Sequence, residues 1–166
     1  MKNLLFACPP EFNAKGVCRA SSGVWLRYSR TRSASGGVQT LNDLGQPSFF
    51  KLIWDDPASD DGIDHVNLLG NSVATTTKSG AFTGADVANA LVSRLGEYCL
   101  IAIWGAKEGH SMAAITIDKY LRFFDPNFGC WTFDTTAELK DHVGEHLSIL
   151  GYADLLRNKY IIRRWK

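Results

Sequence analysis

Gly109-His-Ser-Met-Ala-Ala-Ile-Thr-Ile-Asp-Lys-Tyr-Leu-Arg-Phe-Phe-Asp-Pro-Asn-Phe-Gly129 contains two strand-like runs, His110–Ile117 and Tyr120–Phe124, around the short break Asp118-Lys119. If that break is a two-residue hairpin turn, Ile117 pairs with Tyr120, Met112 with Asp125 and His110 with Asn127. His110 and Asp125 then share one sheet face as diagonal neighbours, about 7–8 Å apart between alpha carbons. An imidazole and a carboxylate so placed can hydrogen-bond. A slip of one residue would send them to opposite faces. The same register makes Asn127 a rival partner for the imidazole.

Further strands flank this hairpin. Cys99–Trp104 is apolar and β-rich, Asn127-Phe-Gly129 turns into a short Cys130–Phe133 piece, and Lys159–Trp165 reads as the last strand. Three segments read as helices. In residues 17–30, Cys18, Ser21, Ser22, Trp25, Leu26 and Ser29 recur at helical spacing on one face, small at the start and bulky later. Thr83–Glu97 has a capping threonine with Asp86 three residues on, a stripe of Val87, Ala90, Leu91 and Leu95, and Gly96 at its end. Thr135 or Thr136 opens the third, with Leu139, Val143, His146, Leu147 and Leu150 on one face and Gly151 at its end.

Residues 30–47 read as a Ser, Gly and Arg loop, Phe49–Trp54 as a short apolar piece, and 55–62 as an acidic loop lacking EF-hand spacing. Residues 63–82 read as a short helix followed by Thr-rich coil. A helix first, then a mostly antiparallel sheet with a late helix, is an α+β arrangement. Residues 1–166 are expected to form a single domain.

Composition bounds the function. A formal net charge of +1 over 166 residues lacks the basic footprint of a nucleic-acid binder. The basic end Arg163-Arg164-Trp165-Lys166 reads as a solvated terminus. The apolar run Leu4–Ala7 is too short for a signal peptide core, and no stretch approaches the roughly 20 apolar residues of a membrane span, so no integral membrane association is expected. Lys2 excludes N-myristoylation. The four cysteines, Cys8, Cys18, Cys99 and Cys130, form no Cys-x-x-Cys pair and fit a reduced, cytosolic setting, with Cys99 buried. No metal or cofactor is implied.

The chemistry rests on Cys18, His110 and Asp125. A thiolate attacks a carbonyl, and a helix N-terminus lowers a cysteine pKa because its unpaired N–H groups favour negative charge. Cys18 has that place. With His110 as base and Asp125 as orienting acid, the trio can run nucleophilic catalysis. Oxyanion donors are also needed. The Cys18 backbone N–H is one candidate and the Asn13 side-chain amide the other. Taken singly, a helical Cys is ordinarily a small core residue, a His after Gly a strand-edge residue, and an Asp before Pro a turn former.

Three segments resemble the YopT/AvrPphB-type bacterial effector cysteine proteases. Gly16-Val-Cys-Arg-Ala-Ser-Ser-Gly-Val-Trp-Leu26 is similar to that family's nucleophile segment, Gly109-His-Ser-Met-Ala-Ala114 to its histidine segment, and Leu121-Arg-Phe-Phe-Asp-Pro-Asn-Phe-Gly129 to its acid segment. The resemblance implies a papain-like fold with the nucleophile on an N-terminal helix packed against the sheet. It implies Cys18 as nucleophile, His110 as general base, Asp125 as orienting acid and an oxyanion role for Asn13. It further implies a protein substrate, such as a host small GTPase or kinase, and secretion by a dedicated bacterial system into a target-cell cytoplasm. Only 17 residues precede Cys18, which fits a minimal catalytic module or one cut from a larger toxin.

The leading expectation is therefore a cysteine endopeptidase. The same thioester chemistry can end in deamidation, transglutamination or acyl transfer. A non-catalytic binding module on the same fold is a further alternative. A metal hydrolase using His65, His110, His142 and His146 lacks the His-Glu-x-x-His pattern; on the third helix His146 reads as apolar-face and His142 as nearer solvent. An inhibitor or immunity partner is not legible.

Overall fold

The computed structural model describes residues 2–7, 18–33, 66, 69–152 and 156–166. The apolar piece at 49–54, the acidic loop at 55–62, Asn13 and His65 lie outside the described residues. Within them, seven strands form one sheet: β1 (Asn3–Ala7), β2 (Ala74–Ser79), β3 (Tyr98–Trp104), β4 (Gly109–Ile117), β5 (Tyr120–Asp125), β6 (Gly129–Phe133) and β7 (Lys159–Trp165). The spatial order is β1-β6-β5-β4-β3-β7-β2, and every neighbouring pair is antiparallel. Three helices accompany it: α1 (Cys18–Ser33), α2 (Gly84–Val92) and α3 (Thr136–Ile149). The α+β expectation holds.

The central hairpin has the register derived above. Ile117 pairs with Tyr120 and Ala113 with Phe124, and there the β4–β5 ladder stops. Side-chain alternation divides the core in two. Ala113, Ile115 and Phe124 face α1 and pack with Val24, Trp25 and Leu26. Met112, Ala114, Leu121 and Phe123 face the other way, towards Val87 and Leu91 of α2 and Leu139, Val143 and Leu147 of α3. Trp25 stacks on Phe124 with ring centroids 5.3 Å apart, so the bulky part of α1 is anchored one residue from Asp125. This leaves the small-residue start of α1 free to meet the end of β4.

Both remaining helices begin with a capping box. Thr83 Oγ1 accepts from the Asp86 N–H while the Asp86 carboxylate accepts from the Thr83 N–H; Thr135 and Glu138 do the same for α3. The two helices cross at small residues. A Cβ on Gly84 would lie 2.4 Å from the Gly144 carbonyl oxygen, so only glycine permits this approach. The helix α2 ends at Ser93, earlier than Gly96, and Leu95 lies past it and 43% exposed rather than in the buried stripe.

Two other expectations are corrected. The Thr-rich stretch read as coil is β2, an edge strand paired with β7 along its whole length. Its β-branched threonines suit an extended backbone even without apolar alternation. The basic C-terminal end is also structural. Lys159–Trp165 lies between β3 and β2, and Arg164 is fully buried. Its guanidinium reaches Glu97 at 3.3 Å, the Ala90 carbonyl at 2.6 Å and Thr76 Oγ1 at 2.8 Å. Arg164 sits there because Glu97, itself buried, needs cationic partners; Arg94 and Lys166 supply two more.

Candidate active site

Where the β4–β5 ladder ends, the two strands present His110 and Asp125 on the α3 side of the sheet, by alternation from Met112 and Phe123. The structure brings the two together as the register arithmetic expected. His110 Nε2 lies 2.9 Å from Asp125 Oδ1. Asp125 is fully buried, and burial pushes its carboxyl up. The hydrogen bonds of His110 and His146 outweigh this and hold it down at about 2. The carboxylate is therefore ionised, and both facing ring nitrogens carry protons and donate.

With Nε2 of His110 committed to Asp125, Nδ1 is the nitrogen left for Cys18. The Cys18 sulfur hydrogen-bonds with the His110 ring and with backbone groups of Ser111 and Arg19. Burial raises its pKa, but His110 and the backbone groups lower it further, so the net shift is downward. Cys18 is the first residue of α1, where the helix dipole also favours a thiolate. Ser22, one turn on, donates its hydroxyl to the Ser111 carbonyl at 3.1 Å and ties this end of α1 to β4. Burial lowers the His110 pKa, yet Asp125 and Cys18 together raise it to about 9. The arrangement favours a thiolate–imidazolium pair over a neutral thiol and imidazole.

Two residues in this constellation were not foreseen as part of it. Tyr152 stacks on the His110 ring, with centroids 4.8 Å apart and planes 27° from parallel. Its hydroxyl accepts a hydrogen bond from Asn127 Nδ2 at 2.8 Å. Burial and the Asp125 carboxylate raise its pKa, so it stays neutral. His146, read as a core residue of α3, places Nε2 2.8 Å from Asp125 Oδ2. The available signals were the i, i+4 pair His142 and His146 on an apolar stripe and a tyrosine just past the helix end. Neither shows that α3 crosses β5 at Asp125.

Other candidates fall elsewhere. Asn127 is not the imidazole's orienter: its backbone N–H donates to Asp125 Oδ1 at 2.9 Å and its amide holds Tyr152. His142 is buried, at 6% exposure, rather than near solvent; it packs among Phe123, Trp131 and Phe133. Burial, Lys2 and His146 push its pKa down to about 3. Among the described residues Cys99 and Cys130 are buried free thiols, and burial lifts Cys99 to about 12, so neither competes with Cys18 as a nucleophile.

Residues 70–160 match the C58 peptidase family, described as Yersinia/Haemophilus virulence surface antigen; the match spans more than half of the chain and includes His110 and Asp125. No curated protein matches the chain in sequence. Two solved structures share the fold. The Pseudomonas avirulence protein AvrPphB aligns over 96% of this chain and 95% of its own, at 15% identity and a TM-score of 0.65. PatoxP, a cysteine protease-like domain of the Photorhabdus asymbiotica toxin PaTox, aligns over 95% of this chain and 52% of its own, at 13% identity and a TM-score of 0.53. Among the described residues no helix is long and apolar enough to cross a membrane.

Proposed function

The chain belongs to the C58 family of cysteine peptidases of bacterial virulence effectors and toxins, and from that footing we propose that it is an endopeptidase in which Cys18 is the nucleophile, His110 the acid and base, and Asp125 the orienting acid. Membership of a peptidase family implies a protein substrate. The observation that carries the assignment is the placement of the His110 ring between Cys18 and Asp125, with Asp125 at 2.9 Å.

The Cys18 thiolate attacks the scissile carbonyl carbon, and the oxygen becomes an oxyanion. The Cys18 backbone N–H at the start of α1 and the Asn13 amide are our proposed donors to it. The His110 imidazolium passes its proton to the leaving amine nitrogen, the C–N bond breaks, and a thioester remains on Cys18. Neutral His110 then takes a proton from water, whose oxygen attacks the thioester carbon; the C–S bond breaks, the acid product leaves, and the Cys18 thiolate and His110 imidazolium are restored. Asp125 keeps the His110 Nε2 protonated and the ring turned towards Cys18 throughout. Tyr152 covers one face of that ring and keeps water from it.

Residues 1–166 serve, in this reading, as one catalytic domain, delivered by a bacterial secretion system to a target-cell cytoplasm whose reducing poise keeps Cys18 free. A host signalling protein such as a small GTPase or kinase is the proposed target. The test is incubation with a target-cell lysate followed by mass spectrometry. Two new peptide termini from one protein, absent with Cys18→Ala, support the proposal. A mass gain of about one dalton without fragments would assign deamidation instead, since the acceptor that resolves the thioester decides the product. Full hydrolytic activity in Cys18→Ala would sink the proposal.

A further inference from the structure

Asp125 is the most completely buried charge of the site, and each of its oxygens has a donor. Oδ1 accepts from His110 Nε2 and from the Asn127 N–H, both at 2.9 Å. Oδ2 accepts from His146 Nε2 at 2.8 Å. His146 comes from α3, a different element from the hairpin that carries His110 and Asp125. It is 9% exposed and set among rings: Phe123 at 5.2 Å, Trp131 at 5.2 Å, Phe128 at 5.4 Å, His142 at 5.4 Å and Tyr152 at 6.3 Å between centroids. In such apolar surroundings a charge-assisted hydrogen bond is strong, and its loss is felt by the carboxylate rather than by solvent.

We propose that His146 is a positioning residue of this site, holding the second oxygen of Asp125 and thereby setting how much of the carboxylate's charge acts on His110. The proposal rests on the assignment of Cys18, His110 and Asp125 made above. Two imidazole N–H groups share one negative charge. While His146 donates to Oδ2, part of that charge is neutralised and the imidazolium of His110 is held less tightly than Asp125 alone would hold it. A general acid that must give up its proton to a leaving amine works best when it is not over-stabilised. Remove the His146 donor, and the Asn127 N–H still fixes Oδ1 against His110. The carboxylate, still partnered by Tyr152, has then lost one donor, so more of its charge acts on His110, and the protonated form of His110 persists to higher pH. The titratable groups facing this pocket are Cys18 on α1, His110 on β4, Asp125 on β5, His142 on α3 itself and Tyr152 beyond it; Lys2, ahead of β1, acts on His142.

The test needs no substrate. Imidazole nitrogen–proton NMR titration of a Cys18→Ala protein removes the thiolate, and the chain has only four histidines to assign. In the His146→Leu version the His110 midpoint is expected to rise by about half a pH unit or more, a shift the loss of one strong donor readily produces. In His146→Gln, whose amide nitrogen can replace Nε2 as donor to Oδ2, it is expected to return to the parent value. A midpoint unmoved or lowered in a folded His146→Leu protein overturns the proposal, because a merely structural histidine would change stability and leave His110 alone. Should that variant fail to fold, the parent spectrum decides. The proposal requires His146 protonated on Nε2, and a ring protonated on Nδ1 alone overturns it. Hydrolysis by the unmodified protein, measured alongside, reports on the proposed function separately; a coupled pair without hydrolysis would count against the peptidase assignment and leave the coupling intact.

Discussion

Replacing His142 by phenylalanine isolates a pH effect whose size follows from the structure. His142 lies on α3 one turn before His146, at 6% exposure, and its Nε2 has no hydrogen-bond partner in the described structure. Protonation in this aromatic box would bury an unpaired cation, so its native pKa falls from the ordinary 6.5 to about 3. The unfolded chain has no such box and takes up a proton at about 6.5. Between those two values the unfolded state binds the proton and the native state does not, so stability falls as pH falls. From pH 7 to pH 5 the loss is about 2 kcal/mol, at 1.36 kcal/mol per unit below 6.5. The figure does not depend on the native value as long as that stays well under 5. Urea unfolding at pH 7 and pH 5 measures it. Wild type is expected to lose about 2 kcal/mol more than His142→Phe over that interval, a midpoint difference of roughly 1 M for a domain of this size. Other titrating groups are common to both proteins and cancel in the difference. Equal losses in the two proteins, within about 0.5 kcal/mol, would refute the claim that His142 is held neutral. The consequence reaches the site, since acid that loosens this box also loosens the helix that presents His146.

Three further outcomes follow from the same geometry. The His110 pKa near 9 and the lowered Cys18 pKa define the window of the thiolate–imidazolium pair, so kcat/KM on any cleaved peptide should fall on the basic side with a midpoint near 9; because His110 is raised above its unfolded value, the stability it contributes is complete below about 6.5 and is lost as pH rises through 9, and a basic limb near 7 would contradict the pairing. In Asp125→Asn, two histidine N–H donors converge on a side chain with one carbonyl oxygen, so one imidazole faces an NH2 group and must change tautomer; a loss of about 10²–10⁴ in kcat with little change in KM is expected, and a loss under about tenfold would remove Asp125 from its role. Gly84→Ala drives a methyl into the Gly144 carbonyl oxygen and should destabilise the α2–α3 pair by about 1–3 kcal/mol, read by thermal unfolding; a neutral result would mean that the two helices do not cross as closely as described.

What could be read from the chain without its structure was what local periodicity and local chemistry determine. The β4–β5 register followed from a two-residue turn and strict alternation, and it carried the His110–Asp125 hydrogen bond with it. The capping Thr83 and Asp86 of α2 were legible because they lie within four residues, whereas the start of α3 stayed open between Thr135 and Thr136 until the structure placed the cap at Thr135. Apart from the end of α2, the failures are tertiary. β2 is a strand because β7 offers it an edge, although its own pattern Ala-Thr-Thr-Thr-Lys-Ser has no apolar face. Arg164 alternates in phase with Tyr160 and Ile162 and so falls on their buried side; only the distant Glu97 makes that burial tolerable, and a basic tetrapeptide at a chain end gives no hint of it.

His146 is the most instructive of these cases. Its helical stripe with Leu139, Val143 and Leu147 is a sound reason to place it inside, and inside is where it lies. What periodicity cannot say is what a buried imidazole meets. A histidine on a core stripe must satisfy its ring nitrogens within the protein, and the fully buried Asp125 needs donors on both oxygens. Each residue therefore supplies what the other lacks, and the crossing of α3 over β5 joins them at 2.8 Å. The pair is a necessity for neither local segment, and it exists because the α3 face and the hairpin register agree in three dimensions. That agreement is also why substituting His146 tests more than packing: the carboxylate it satisfies is the one that faces His110.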